Sequence, residues 1–286
     1  MTAAALVEAT KSFGAAPAVD RVTFGVEEGE VVALLGPNGA GKTTSIALLL
    51  GLRRPDSGRA LLFGRDPRAA DARTAIGVTP QEMGFPHALR VVEVVRLVRA
   101  HYPQPLPERD VLERFGLDRF AKRQVGGLSG GERRRLAVAL AFAGDPRLVV
   151  LDEPTSGLDA ESRRSVWDAV RRHAAAGRAV LLTTHHLDEA EALASRVVVI
   201  ESGRIVADGQ VAAIKGSAGL TRISFAAPAN GFVWAGMERD ADRVAILVRD
   251  AGIEIARLVR QGVPLHELEV RPVTLEEAVT VLRRPS

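Results

Sequence analysis

Residues 36–43, Gly36-Pro37-Asn38-Gly39-Ala40-Gly41-Lys42-Thr43, put three glycines, a lysine and a hydroxyl into eight positions. This is the pattern G-x-x-x-x-G-K-[ST], and it follows a strand and opens a helix, as a phosphate-cradling loop requires. Glycines let successive backbone N–H groups curl around an anion, and the helix N-terminus adds partial positive charge. Lys42 brings a point charge to the β/γ-phosphates, and the Thr43 hydroxyl joins a Mg²⁺ shell. A second constellation, Leu148-Val149-Val150-Leu151-Asp152-Glu153-Pro154, is an apolar strand ending in two acids. Carboxylates at the C-terminal edge of a parallel sheet border the ligand crevice. There Asp152 would hold Mg²⁺, directly or through water, and Glu153 would polarise an attacking water as general base. Asp152 also reads as a turn or N-cap acid.

Leu128-Ser129-Gly130-Gly131-Glu132 is a third candidate. Ser129 and Glu132 form an S-x-x-E capping box that would start a helix. A capped helix start with two glycines is also an anion site.

These residues need elements to hold them. Short strands are expected at 3–7, 22–26 and 31–35; the last is a continuous apolar run, as in a strand buried on both faces. A helix is expected from about residue 41 to 50. Val91, Val94, Val95 and Val98 fall at helical spacing, a proline-rich break follows at Pro103, Pro105 and Pro107, and further helical stretches cover 108–115 and 132–142. Strands return at 148–151, 179–183 and 197–200, with helices between. A helical insert, about 85–145, therefore interrupts an α/β core. Residues 215–219 read as a linker, and beyond them strands are expected at 222–226 and 244–248 and helices at 251–261 and 275–282.

On these motifs and their order the chain resembles ABC-transporter ATPase subunits, over roughly residues 2–215. The resemblance implies a P-loop NTPase core with an antiparallel β subdomain and a helical subdomain insert, and a small α+β C-terminal domain at 220–286. Residues 128–132 resemble the signature loop, in which Ser129 and Gly131 would face the γ-phosphate bound to a second copy. Phe13 sits where the family places an aromatic on adenine. The implied nucleotide contacts are Gly36 to Thr44, with Pro37, Asn38, Gly39, Ala40, Gly41, Lys42, Thr43 and Thr44 among them. Gln81, in Thr79-Pro80-Gln81-Glu82, matches the glutamine that meets Mg²⁺ and the attacking water. Asp159, in Ser156-Gly157-Leu158-Asp159, matches an aspartate that crosses the dimer seam, and is also a natural N-cap. His185, in Thr183-Thr184-His185-His186, matches the histidine that contacts the γ-phosphate and orients Glu153, whereas His186 is expected on the first turn of the next helix. The family's signature loop more often ends in Gln; Glu132 would be tolerated if its carboxylate turns back to the Ser129 N–H, with Arg133, Arg134 and Arg135 screening it.

The resemblance further implies ATP as substrate, Mg²⁺ as cofactor, a homodimer with two ATP molecules at its seam, and a separately encoded transmembrane permease at the cytoplasmic face of the membrane. The segments Ile223-Ser224-Phe225 and 271–278 resemble the C-terminal extension of type-2 ABC exporter ATPases, including drug-resistance and sodium-export systems. Thr274-Leu275-Glu276-Glu277 is equally a capping box. An importer ATPase, a soluble non-transport ABC ATPase and a nucleotide-gated binding module are the alternatives.

Composition agrees with a folded globular chain: 47% hydrophobic, 26% charged and no cysteine, which removes disulfides and thiolate metal sites. No apolar run approaches the roughly 20 residues of a membrane span, and no signal peptide is expected. The net charge of +3 lacks a block of like charges, so no nucleic-acid partner is expected. His87, His101, His173 and His266 read as surface or boundary residues.

Overall fold

The structure is a computed structural model that describes residues 1–14, 16–79, 84–217, 219–227, 233–234, 237–240 and 242–282. The chain divides into two compact units, Met1–Asp208 and Gly209–Ser286, a division seven residues before the expected end at 215.

The first unit opens with two long strands, β1 (Thr2–Phe13) and β2 (Ala16–Glu27), then β3 (Val31–Leu35), α1 (Lys42–Leu49), β4 (Ser57–Leu62), α2 (Ala70–Arg73) and β5 (Ile76–Thr79). Helices α3 (Val91–Arg99), α4 (Glu108–Arg114) and α5 (Gly130–Phe142) follow, with two 3₁₀ turns before α5. The core resumes with β6 (Leu148–Asp152), α6 (Ala160–Ala175), β7 (Ala179–Thr183), α7 (Leu187–Leu193), β8 (Arg196–Glu201) and β9 (Arg204–Gln210). Six strands form one sheet in the order β5-β6-β7-β3-β8-β9, and β1, β2 and β4 form a separate antiparallel sheet in the order β2-β1-β4. The pairs β5–β6, β6–β7, β7–β3 and β3–β8 are parallel.

The apolar runs explain this layout. Every residue of β3, β6 and β7 is buried, as parallel strands covered on both faces must be. β1 and β2 alternate buried and exposed residues and extend well past the expected 3–7 and 22–26; their polar outward residues weaken an apolar-run signal without ending the ladder. α2, β4, β5 and β9 escaped the sequence reading for the same reason, being short or solvent-faced.

The second unit contains α8 (Val211–Ser217), β10 (Thr221–Ala226), β11 (Glu238–Asp240), β12 (Arg243–Val248), α9 (Ala251–Arg260), β13 (Glu269–Pro272) and α10 (Leu275–Leu282). Its antiparallel sheet runs β11-β12-β10-β13. Ile223, Phe225, Val244, Ile246 and Leu258 form its buried core. Helix α8 packs on α10, so the segment expected as a linker begins with the last turn of a helix; Ala218 lies outside the described residues. The capping box at α10 is present: the Thr274 N–H donates to Glu277 Oε2 (2.8 Å) and the Glu277 N–H to Thr274 Oγ1 (3.3 Å).

Among the described residues, no helix is long and apolar enough to cross a membrane.

Candidate functional site

Strand β3 delivers the chain to Gly36, and α1 carries it away from Gly41. Between them the loop curls because its glycines have no side chain to obstruct it. A Cβ on Gly36 would meet the Ile200 carbonyl oxygen at 2.2 Å; one on Gly41, whose φ is +110°, would meet the Ala18 oxygen at 2.4 Å. Neither position accepts a larger residue without displacing backbone. Lys42 is buried, and its ammonium donates to the carbonyls of Gly36 (2.7 Å) and Pro37 (3.0 Å). Burial lowers its pKa, while Glu153 and then Asp152 partly offset this through their charge.

These groups border one cavity of about 590 Å³. Gly36, Pro37, Asn38, Gly39, Gly41, Lys42, Thr43 and Thr44 line one side, with Ala18, Asp152, Glu153 and His185 around them. Ala40 does not line it; it is buried beneath the loop. The acids come from the end of β6 and His185 from just after its neighbour β7, so parallel pairing in register, Asp152 against Thr183, brings together residues some thirty positions apart. His185 Nδ1 lies 3.1 Å from Glu153 Oε1. A carboxylate only accepts, so Nδ1 carries the proton in this contact.

Thr183 is the hinge of the arrangement. Its hydroxyl donates to Asp152 Oδ1 and accepts from the Glu153 N–H (3.1 Å), and its carbonyl also accepts from that N–H (3.0 Å). Glu153 has φ +50°, a left-handed backbone that costs a non-glycine residue about 1 kcal/mol. Arg134 of α5 donates to the Asp152 carbonyl and, at 2.5 Å, to the Glu153 carbonyl. Neither Thr183 nor Arg134 was assigned a contact in the site from sequence. The available signal for Arg134 was an arginine inside an otherwise apolar helix face, and it is buried.

The other expected residues lie apart from this cavity. Ser129 and Glu132 cap α5 reciprocally: the Ser129 N–H donates to Glu132 Oε2 (2.6 Å) and the Glu132 N–H to Ser129 Oγ (3.2 Å). The backbone N–H of Ser129, aided by Arg123 and Arg135, holds the Glu132 carboxyl below its usual range. The expected screening by all three following arginines is thus corrected, since Arg134 turns to the acids' backbone and Arg123 stands 3.7 Å from Glu132. Gly131 approaches the Gly157 carbonyl, which a Cβ would meet at 3.3 Å, so the signature loop and the segment ending in Asp159 are neighbours. Asp159 caps α6 by accepting from the Ser162 N–H (2.7 Å). Phe13 is half exposed at the end of β1, with the Arg53 guanidinium 5.5 Å from its ring centre. Gln81 lies outside the described residues.

Two histidines differ from expectation. His186 precedes α7 at its N-cap position rather than standing on its first turn, and its ring packs 4.1 Å from that of His185. His173 is buried, not a surface residue, with its ring edge-on to Phe142. Burial first, then Arg178 and Arg114, push its pKa down to about 4, against an opposing pull from Asp145.

The family model for ABC transporters matches residues 19–156. The chain is 41% identical over 207 residues to the Nod factor export ATP-binding protein I of Cupriavidus metallidurans, an alignment covering 70% of this chain and 68% of that protein. It is also 41% identical over 222 residues to the doxorubicin resistance ATP-binding protein DrrA of Mycobacterium tuberculosis, covering 75% and 67%. A solved structure described as an ATP binding subunit of an ABC transporter shares the fold over 99% of this chain and 100% of its own, with TM-score 0.74 and 24% identity. With phosphate loop, paired acids and histidine gathered around one cavity, and with such identity over two thirds of these relatives, the chain belongs to the ABC transporter family.

Proposed function

We propose that this chain binds and hydrolyses ATP with Mg²⁺ as half of a head-to-tail homodimer, and drives export through a separate transmembrane permease. The observation that carries the reading is the Glu153–His185 contact beside Lys42 in one cavity. Thr43 and Asp152 supply oxygen donors on that same cavity, the ligand type that suits Mg²⁺; Gln81 would be a third. When bound, Mg²⁺ offsets the charge of the β- and γ-phosphate oxygens.

The protein's own groups do the rest. The loop N–H groups and Lys42 hold the phosphates, which would draw the ammonium from the carbonyls of Gly36 and Pro37. Phe13 stacks on adenine. Glu153 accepts the proton of a water attacking the γ-phosphorus in line with the bond to the leaving ADP oxygen. His185 fixes the carboxylate by its Nδ1–H and meets the γ-phosphate. Ser129, Gly131 and Asp159 do not line the chain's own cavity, which supports their serving a partner's nucleotide across a two-fold seam. ATP thereby favours the closed pair by contacts that the open state lacks.

Export rests on the resemblance of residues 220–286 to exporter extensions and on relatives that carry export and drug-resistance names. The permease would meet the chain near Gln81 and α3, where Leu97 is half exposed, and would hold it at the cytoplasmic face. The test is Glu153→Gln: ATP binding is retained, turnover is lost, and light scattering detects a dimer only with ATP. Wild-type turnover, or a monomer at saturating ATP, overturns the assignment.

A further inference from the structure

The geometry points to Arg134 as a positioning residue that couples the two ATP sites, by tying the signature helix of a protomer to the peptide that aims its own catalytic base. The inference rests on the homodimer reading above.

Helix α5 begins at the Ser129 cap and carries Arg134 five residues further on, about 7.5 Å along the axis. At one end, Ser129 and Gly131 face the partner's γ-phosphate in the proposed dimer. At the other, the Arg134 guanidinium grips the carbonyls of Asp152 and Glu153 together. Both bonds leave one terminal nitrogen, Nη2, whose two N–H groups are held in the guanidinium plane and so fix the two carbonyls relative to each other, as a freely rotating ammonium would not.

The gripped peptide is the one whose aim matters. Glu153 is held at φ +50°, a conformation that persists only where the surroundings impose it. Its N–H is fixed by Thr183 and its carbonyl by Arg134, and between these anchors the side chain reaches His185. Arg134 is buried, and the carboxylates of Asp152, Glu153 and Glu189 act on its charge. Glu189 is itself buried on α7, just beyond His185, and accepts from Trp167 Nε1 (3.2 Å). The guanidinium therefore also stands among the acids of both catalytic edges. A shift of α5 when its N-terminus engages the partner's nucleotide would move the Asp152–Glu153 backbone with it. Loading one site would thus complete the base of the other, and a misplacement of about 1 Å can cost roughly a hundredfold in rate.

The experiment compares wild type, Arg134→Gln and Arg134→Lys in steady-state ATPase assays across ATP concentration. It is paired with ATP-dependent dimerisation in a Glu153→Gln background with and without Arg134→Gln. Wild type is expected to show a Hill coefficient clearly above 1. R134Q should lower kcat by about 10- to 100-fold and bring the Hill coefficient to about 1, with nucleotide affinity of the isolated monomer unchanged; R134K should recover part of kcat. Should R134Q fail to fold, R134K alone reads the same Hill coefficient and must show it reduced. A wild-type Hill coefficient of 1, or variants that keep the wild-type cooperativity whatever their kcat, overturns the coupling. A dimer in E153Q that forms on ATP while cooperativity ignores Arg134 overturns the coupling alone; absence of that dimer overturns the homodimer reading and the coupling with it.

Discussion

The two units each enclose a cavity lined by acids and bases, but they handle those charges in opposite ways. In the unit of residues 1–208, Lys42 is buried with a lowered pKa, and Glu153 sits on a left-handed backbone with only part of its carboxylate engaged by His185. In the unit of residues 209–286, Glu277 accepts from Arg222 (2.7 Å), from both Nη1 (3.0 Å) and Nη2 (2.9 Å) of Arg271, and from the Thr274 N–H. Burial opposes ionisation of Glu277, yet the hydrogen bonds from Arg271 and Thr274 prevail and its carboxyl falls below its usual range. The first cavity keeps its lysine on two backbone carbonyls and its glutamate beside a single histidine; the second has its central carboxylate saturated by its neighbours. Similar residue types thus mark a reactive site in one place and a structural clamp in the other, and the difference is satisfaction rather than composition.

That contrast can be broken from either side. The largest expected effect is on catalysis in the first unit. Glu153→Gln should lower turnover by about 10²- to 10⁴-fold, the range of a lost general base, while leaving the denaturation midpoint near that of wild type. A variant that unfolds early would place Glu153 with the structural charges instead. The mirror experiment is Glu277→Ala, which leaves Arg222 and Arg271 without their shared carboxylate and should destabilise the second unit by about 3 kcal/mol. The chain has two tryptophans, Trp167 and Trp234, one in each unit; denaturation of a Trp167→Phe background, followed by fluorescence, reports the second unit through Trp234. ATP turnover at a temperature where that unit stays folded should be unchanged, and a large loss would give the C-terminal cavity a part in the chemistry.

His173 sharpens the comparison within the first unit, because it is a buried titrating group that the cavity does not use. The unfolded chain protonates it near 6.5 and the folded chain only near 4. Above 6.5 both states are neutral and stability is full. As pH falls from 6.5 toward 4 the unfolded state gains the proton first, and stability drops by up to about 3 kcal/mol. His173→Leu should flatten that acid limb in a thermal-denaturation series, and an unaltered limb would locate the acid sensitivity elsewhere. The smallest effect is at Phe13, where loss of a ring stacked on adenine should raise the KM for ATP about tenfold with little change in kcat. An unchanged KM in Phe13→Ala would remove Phe13 from the site.

Legibility followed the range of the interactions. The phosphate loop, the acids after β6 and the capping boxes at Ser129 and Thr274 were readable because each is complete within eight residues. Helix α1 was expected at about 41–50 and runs from Lys42 to Leu49 between Gly41 and Leu50. The half-buried edges were not readable. β4 alternates too weakly for an apolar signal, and α8 hides in a stretch rich in small residues. His173 was misjudged because its burial comes from Phe142 on a different helix, and Arg134 because three adjacent arginines look alike until the fold buries two of them, sending Arg134 to the acids' backbone and Arg135 to Ser162.

By itself the sequence determined the local chemistry: a loop that must curl, a helix that must start at Ser129, strands that must be covered on both faces, and hence a phosphate-binding α/β core. Only the tertiary structure decided which groups meet. Parallel registry of β6 with β7 set His185 beside Glu153, and packing of α5 brought Arg134 onto the carbonyls of Asp152 and Glu153. The physical reason is that glycine conformations and caps depend on neighbours in the chain, whereas a contact across about thirty residues depends on the sheet and the core that close it.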